Sequence, residues 1–428
     1  YVLDAFEPND FDRTAPWLAS TVAELTGGNP MLLVELVRAL KADHGPGAEL
    51  VVPRGGAWTA GTDLTRERLR ESLPMRLDDL VLARLSEFGP AARDMLRAAA
   101  VLGDVFETDL LSELLGRPLD FAASLAELEQ SSILRERAGT PPRIRFREPL
   151  VPELLDRALA VADPDEHRRL HGLAADGLSA RAKSRGRNAL RRGRHLAAAG
   201  RGEEAVSCLI DAVERLVERQ AFGRARRIVD DVLSLLADGV TVGPRRTTRL
   251  RMLQGEVLRF TGDLAGALAA YRAILDQPLR GPSAGDRLAT VYSKMGKVHE
   301  LLGQLDDALY CYAVGLSLRE ENGLEDDVPQ SLTNLGGLHL LRGELDRAAT
   351  YLTRALDRAE RNPAKRGVAM ARVLCARLHL RRGDPSAARR DVRLALAAAR
   401  AARNKRAAGD AWRELGRIAV REGRLRAA

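Results

Sequence analysis

At 428 residues, 45% of them hydrophobic, the chain is long enough for several domains and has ample apolar content to bury real cores. No run of about 18 apolar residues occurs, and the opening "YVLDAFEPND" is acidic where a secretory signal is basic and then apolar, so no membrane contact and a cytoplasmic location are expected. The net charge of +8 would ordinarily suggest nucleic acid or an anionic surface, but the basic residues are nearly all Arg and are interleaved with acids, the pattern of a solvated helix face. Cys208, Cys311 and Cys375 are far apart and form no CxxC pair, which argues against a disulfide framework or a zinc site and for buried, reduced thiols.

In chain order, residues 15–42 predict an amphipathic helix pair broken at "GGNP". The polar, Gly-rich passage "AELVVPRGGAWTAGTDL" predicts a hairpin, after which "ESLPMRLDDLVLARLSEFGPAARDMLRAAAVLG" turns helical, with Pro90 after Gly89 marking a restart. Two short helices are expected at "FETDLLSELLG" and "DFAASLAELEQSSIL". The segment "LRERAGTPPRIRFRE" then gives strand, turn, strand. Helices followed by a β-hairpin predict a winged helix over 76–162.

The expected wing is basic, with Arg135, Arg137, Arg143, Arg145 and Arg147, which favours phosphate contact. The expected recognition helix is not. "SLAELEQSSIL" offers Glu127 and Glu129 and no Arg or Lys, where base reading needs Arg, Lys, Asn or Gln along one face. DNA binding is therefore kept only as an alternative. Further on, His167 and His171 stand at i, i+4 in "DPDEHRRLHGLAADGL", a spacing that suits a metal. No third ligand is evident nearby in sequence, so surface or interhelix roles are expected for both, and no metal site.

The second half is organised by one spacing: Gly, six residues, Gly, four residues, Ala, then an aromatic or aliphatic residue four further on. It runs Gly255, Gly262, Ala267, Tyr271; Gly296, Gly303, Ala308, Tyr312; Gly336, Gly343, Ala348, Leu352; Ala376, Gly383, Ala388, Val392; and Gly416, Gly423, Ala428, with a period of 40 or 41 residues. A looser copy uses Gly193, Gly200, Ala205 and Leu209, and "AFGRARRIVDDVL" adds a helix after it. The first small residue lets two antiparallel helices approach closely. The second Gly ends helix A, where a positive φ is needed. Asp263, Glu344 and Asp384 are then expected to open helix B, with Pro385 in a first turn. His299, His339 and His379 recur at one register; stacked repeats would hold them near 20 Å apart, so packing or surface roles are expected rather than a shared metal.

Segments such as "SLTNLGGLHLLRGELDRAATYLTRAL" resemble the tetratricopeptide repeat, in its longer variety found in kinesin light chains and bacterial regulators. Taken together, helix pair, winged helix and repeats resemble the back portion of STAND-type signal-transduction ATPases, among them the large ATP-binding LuxR-type regulators. The resemblance implies an all-α fold with a small β wing: residues 1–45 as the remnant of the NTPase lid helices, 46–75 a hairpin-containing linker, 76–162 the winged-helix-like domain, and 163–428 the repeat superhelix, best formed over 248–428. It also implies that Gly28, Asn29 and Pro30 lie against the adenine of a bound nucleotide. Relatives carry a His after the final wing strand that reaches the β-phosphate; here Glu148 stands there, and a carboxylate beside a phosphate is repulsive.

The only Gly-Lys pair, Gly296-Lys297, lacks the upstream Gly of a phosphate cradle. The first residue is Tyr and Ala428 stops inside a repeat, so the sequence is expected to be a piece of a longer polypeptide whose NTPase domain lies upstream and binds ATP or ADP. The expectation for this chain is thus a non-enzymatic module without a cofactor of its own, regulating signalling or transcription. Its repeats are expected to bind a protein or peptide partner or a small inducer. A regulatory tail of a kinase-fused or cyclase-fused ATPase is the other alternative. In such repeats the residues three before and one after the first small residue point into a concave groove, being four apart on one face. That gives Ser293 and Lys297, Thr333 and Gly337, Val373 and Arg377, and Arg413 and Arg417, with Asn334 resembling the Asn that binds a peptide backbone in kinesin-light-chain repeats. Four cations on one face would attract an acidic segment, or else they are solvated charges in an Arg-rich chain.

Overall fold

A computed structural model describes residues 51–54, 57–60, 88–116, 120–137, 139–147, 151–181, 188–277, 281, 283–361 and 367–423. The expected lid helices, with Gly28, Asn29 and Pro30, and the position of Glu148 lie outside the described residues. The chain divides into two compact units: one runs to Asp211 and takes in 237–241, the other comprises 212–236 and 242 onward.

In the first unit, strands β1 (Val51–Arg54) and β2 (Ala57–Ala60) pair antiparallel, Val51 opposite Ala60, where the sequence places a hairpin. Helix α1 (Pro90–Leu102) starts on Pro90 after an extended Gly89, because proline's fixed φ suits a first turn and its missing N–H is not needed there. Strand β3 (Val105–Glu107), helices α2 (Thr108–Leu114) and α3 (Phe121–Gln130), and strands β4 (Leu134–Arg137) and β5 (Arg143–Phe146) follow. The three strands form one antiparallel sheet in the order β3-β5-β4, with Phe106 opposite Ile144 and Leu134 opposite Phe146. Strand β3 corrects the sequence reading, which began a helix at Phe106. Three residues are too few to show alternation, and it is pairing with β5 that holds them extended.

Phe106 and Phe146 meet edge to face at 6.3 Å in a core with Met95, Leu96, Leu128 and Ile144. Helices α4 (Val151–Ala162) and α5 (Pro164–Ala180) add Leu155, Leu159, Leu170 and Leu178 to it. The single residue between them, Asp163, accepts a hydrogen bond from the Glu166 amide and so caps α5. Helix α6 (Ala189–Ala198) packs on α5, and α7 (Gly202–Glu218), which runs on past Asp211 into the second unit, follows it.

The second unit takes in α8 (Phe222–Ala237) and then a run of helical hairpins. They are α9 (Pro244–Phe260) with α10 (Leu264–Leu275), α11 (Ala284–Leu301) with α12 (Leu305–Glu321), α13 (Val328–Arg342) with α14 (Leu345–Arg361), and α15 (Val368–Arg381) with α16 (Pro385–Ala401), ending on α17 (Lys405–Arg421). The close-packing role of the first glycine is visible directly. A Cβ on Gly255 would stand 2.4 Å from the Tyr271 ring, and one on Gly296 would stand 2.7 Å from Tyr312. The second glycine has positive φ in each repeat, +90° at Gly262 and +80° at Gly343, and the N–H groups of Gly303, Gly343, Gly383 and Gly423 close the last turn of helix A.

Asp263 and Asp384 cap their B helices through the amides of Gly266 and Ala387, as expected. Glu344 does not. Its longer side chain turns back to His339 Nδ1 at 2.8 Å and to Arg342 at 2.9 Å, so it ties the A–B turn rather than capping α14. The histidines of this register stay within their own repeats: His299 binds Gln304 at 2.7 Å, His339 also stacks on Tyr351, and His379 lies 3.5 Å from Asp391. Among the described residues, no helix is long and apolar enough to cross a membrane.

Candidate functional site

The face expected to bind a partner lies on the A helices α11, α13, α15 and α17, and the two registers behave differently. In the first three of these helices the position three before the small residue turns inward. Ser293 donates to the Ala289 carbonyl and accepts from Arg319 on α12, Thr333 is buried and donates to the Pro329 carbonyl, and Val373 is buried against Val392. These three do not line a groove. Arg413, at the same register, is exposed and sits 3.1 Å from Asp410; among the described residues no B helix follows α17 to cover it.

The position one after the small residue is half-exposed, and it forms a ladder that the sequence reading missed. Glu256 on α9 meets Lys294 on α11 at 2.6 Å, and Arg377 on α15 meets Glu414 on α17 at 2.6 Å. Between those rungs, Gly337 on α13 faces Leu374 on α15. Each rung joins the residue after the small one to the residue two before the small one in the next repeat. Opposite charges 37 or 38 residues apart, a few short of the repeat period, are the signal that would have found it.

The expected stripe of four free cations is therefore corrected: each has an acidic neighbour. Lys297 holds Glu300 at 2.6 Å, Arg413 holds Asp410, and Arg377 and Arg417 share Oε1 of Glu414, at 2.6 and 2.8 Å. Glu414 is fully buried, and its Oε2 has no hydrogen-bond partner among the described residues. Around it lies an open cleft of about 620 Å³ lined by Arg377, Arg381, Arg417, Arg421, Leu380 and Val420. Arg381 and Arg421 brace this end of the unit by donating to carbonyls at the end of the preceding A helix, those of Leu340 and Leu380. Asn334 accepts at Oδ1 from Gln330 at 2.9 Å, which leaves its amide N–H groups to donate elsewhere.

In the first unit, the basic strands β4 and β5 frame a cleft of about 510 Å³ lined by Arg135, Arg137, Arg145, Arg147 and Glu136. Glu129 of α3 is committed to this hairpin, accepting from the Glu136 amide at 2.7 Å. Elsewhere α4, α5 and α6 bring together Asp156, His167, His171 and His195. Asp156 Oδ1 stands 3.3 Å from His167 Nε2 and 3.0 Å from His171 Nε2, while His171 Nδ1 stands 3.0 Å from His195 Nδ1. The third group that the sequence did not show is thus Asp156, eleven residues before His167 and brought back by the turn at Asp163. Burial pushes His195 down to about 3 and, with the His171 charge, lowers His167; burial would raise Asp156, but the hydrogen bond and charge of His171 outweigh it and hold the carboxyl below its usual range.

Residues 327–401, the span of α13 to α16, match the family model of the tetratricopeptide repeat. No curated protein matches in sequence. Among solved structures the chain is similar to BtubC (BKLC) from P. vanneervenii, at 20% identity over 51% of this chain and 89% of that one, TM-score 0.40. It is similar to a signal transduction ATPase with numerous domains carrying a tetratricopeptide repeat sensor, from Pyrococcus horikoshii, at 14% identity over 93% of this chain and 59% of that one, TM-score 0.40. A third is the Rap conjugation gene regulator of plasmid pLS20, solved with the Phr* peptide, at 13% identity over 75% and 78%, TM-score 0.44.

Proposed function

We propose that this chain is a non-catalytic regulatory and interaction module of a STAND-type ATP-dependent regulator of LuxR-like organisation, whose repeats bind a partner protein or peptide along the A helices. The observation that carries the proposal is the cleft at α15 and α17, which Arg377, Arg381, Arg417 and Arg421 line together with Leu380 and Val420. Guanidinium donors beside apolar side chains suit a segment that carries acceptor groups next to apolar ones. Pairing within the ladder leaves Asn334, Arg413 and Arg417 as the groups with donors to spare, and Arg417 is the more exposed of the two arginines on Glu414.

In this reading α1 to α3 and the sheet β3-β5-β4 are a winged-helix domain. Its support is the chain order helix, strand, helix, helix, strand, strand, with the first strand added at the edge beside β5. The test of the interaction site is to capture the partner with the chain as bait and then measure its binding to the combined Asn334→Ala, Arg413→Ala, Arg417→Ala variant. A loss of tenfold or more is expected. A change below about 0.5 kcal/mol, the scatter of an indifferent surface substitution, removes the groove assignment.

DNA binding remains the second reading, favoured only by the arginines beside β4 and β5. A gel-shift titration at two salt concentrations decides it, because phosphate contacts give a steep salt dependence. No retarded duplex is expected.

A further inference from the structure

We propose that Asp156, His167 and His171 form a binding site for a divalent transition-metal ion of the zinc class, which staples α4 to the start of α5. The site lies in the first unit, on α4 and α5. Its three donors come from two helices joined by one residue, so the chain itself presets their approach. His167 and His171, four apart on α5, project on one face, and their rings lie 4.4 Å apart. The Asp156 carboxylate completes the set from α4.

The spacings fit an ion. Zinc holds nitrogen and oxygen ligands at about 2.0–2.1 Å, which in a tetrahedron places ligand atoms about 3.3 Å apart. Asp156 Oδ1 is 3.3 Å from His167 Nε2 and 3.0 Å from His171 Nε2, and all three donor atoms lie within 4.8 Å of one another. Two imidazoles and one carboxylate are the borderline donors that suit zinc and its neighbours. The setting suits one as well: the side chains of His167 and His171 are 13% and 8% exposed, so little water competes for them, while Asp156, at 33%, leaves a way in.

His195 stands where a group that orients a metal-ligating histidine belongs. It is buried on α6, and its Nδ1 lies 3.0 Å from the far nitrogen of the His171 ring. A histidine that ligates through Nε2 carries its proton on Nδ1 and needs an acceptor there, which orients the ring. Neutral His195, protonated on Nε2, is that acceptor. Without metal the tautomers reverse: both Nε2–H groups donate to Asp156, and His195 donates to His171. Metal binding therefore shifts the ring proton of each of the three histidines to its other nitrogen.

The experiment is a titration of the untagged 428-residue chain with Zn²⁺ by calorimetry and with Co²⁺ followed by visible absorption. One equivalent of each is expected, Co²⁺ giving the intense bands of four-coordination. His167→Ala and Asp156→Asn should each weaken binding at least tenfold. His195→Phe, which keeps the ligands and removes only the acceptor, should weaken it roughly tenfold, the usual effect of losing a group behind a ligand. Circular dichroism on each variant checks that the helices persist, and His167, the more exposed histidine of the pair, is the variant to trust for folding. The proposal is overturned if no saturable binding is found, or if a folded His167→Ala chain binds as tightly as the parent.

Discussion

Two glycines in otherwise similar helices separate close approach from mere permissiveness. Gly255 lies where the fully buried Tyr271 ring presses on α9, and an added Cβ would stand 2.4 Å from it. Gly409 on α17 has nothing within 4 Å of the same atom. Gly409→Ala should stabilise by about 0.5–1 kcal/mol, the intrinsic helix gain. Gly255→Ala has the same gain, but overpacking of about 1–3 kcal/mol should outweigh it and lower the denaturation midpoint. Opposite shifts for the two variants in urea are the expected result. The cysteines follow from burial too. Cys208, Cys311 and Cys375 are all buried, and desolvation pushes the Cys311 and Cys375 thiols up to about 11 and 12. Because the thiolate is the reactive form, a disulfide reagent at pH 8 should label none of the three within minutes in the native chain and all three in denaturant.

At the scale of elements, the ladder between successive A helices makes a quantitative prediction. Arg377 gives Glu414 two of its three hydrogen bonds, and Glu414 is wholly buried. Arg377→Ala should cost about 1–3 kcal/mol, the penalty of leaving a buried charged acceptor short of donors. Arg413→Ala removes an exposed pair with Asp410 and should cost under about 0.5 kcal/mol. Adding Glu414→Leu to Arg377→Ala copies the neighbouring Gly337–Leu374 rung and should recover most of the loss, since the buried charge then needs no partner. Chemical denaturation of the four chains measures all of this. The hairpins themselves were legible, because glycine, alanine and tyrosine at fixed spacing report local turns and close packing. The ladder, β3 and the Asp156 cluster were not, because each is set by a contact with another element: the next repeat, β5, or the helix across the Asp163 turn. Thr333 and Val373 were placed in a groove by register alone. Val373 is instead buried with Val392 of its own B helix, and Thr333 is buried with its hydroxyl on the Pro329 carbonyl.

For the molecule as a whole, the question is what it does with nucleotide. The single Gly-Lys pair of the sequence lies within α11. There Gly296 is packed against Tyr312, and the helix uses the backbone N–H groups of this stretch for its own hydrogen bonds. A phosphate cradle needs those groups free and pointing at the anion. The first turns of α5 and α12 carry carboxylates, Asp165 and Glu166 on α5 and Asp306 and Asp307 on α12, which repel phosphate, and side chains of Asp263, Asp384 and Asn404 occupy amides at the starts of α10, α16 and α17. Arginines on the repeat helices are already engaged. Arg377 and Arg417 are held by Glu414, and Arg342 by Asp306 and Glu344. We therefore expect the 428-residue chain to bind ATP and ADP no more tightly than the millimolar range and to release no phosphate from ATP. Calorimetry with each nucleotide in the presence of Mg²⁺, and a phosphate-release assay, measure both. Micromolar affinity would mean that the adenine contacts expected of Gly28, Asn29 and Pro30 suffice alone, and that the anchoring attributed to an upstream domain is not needed.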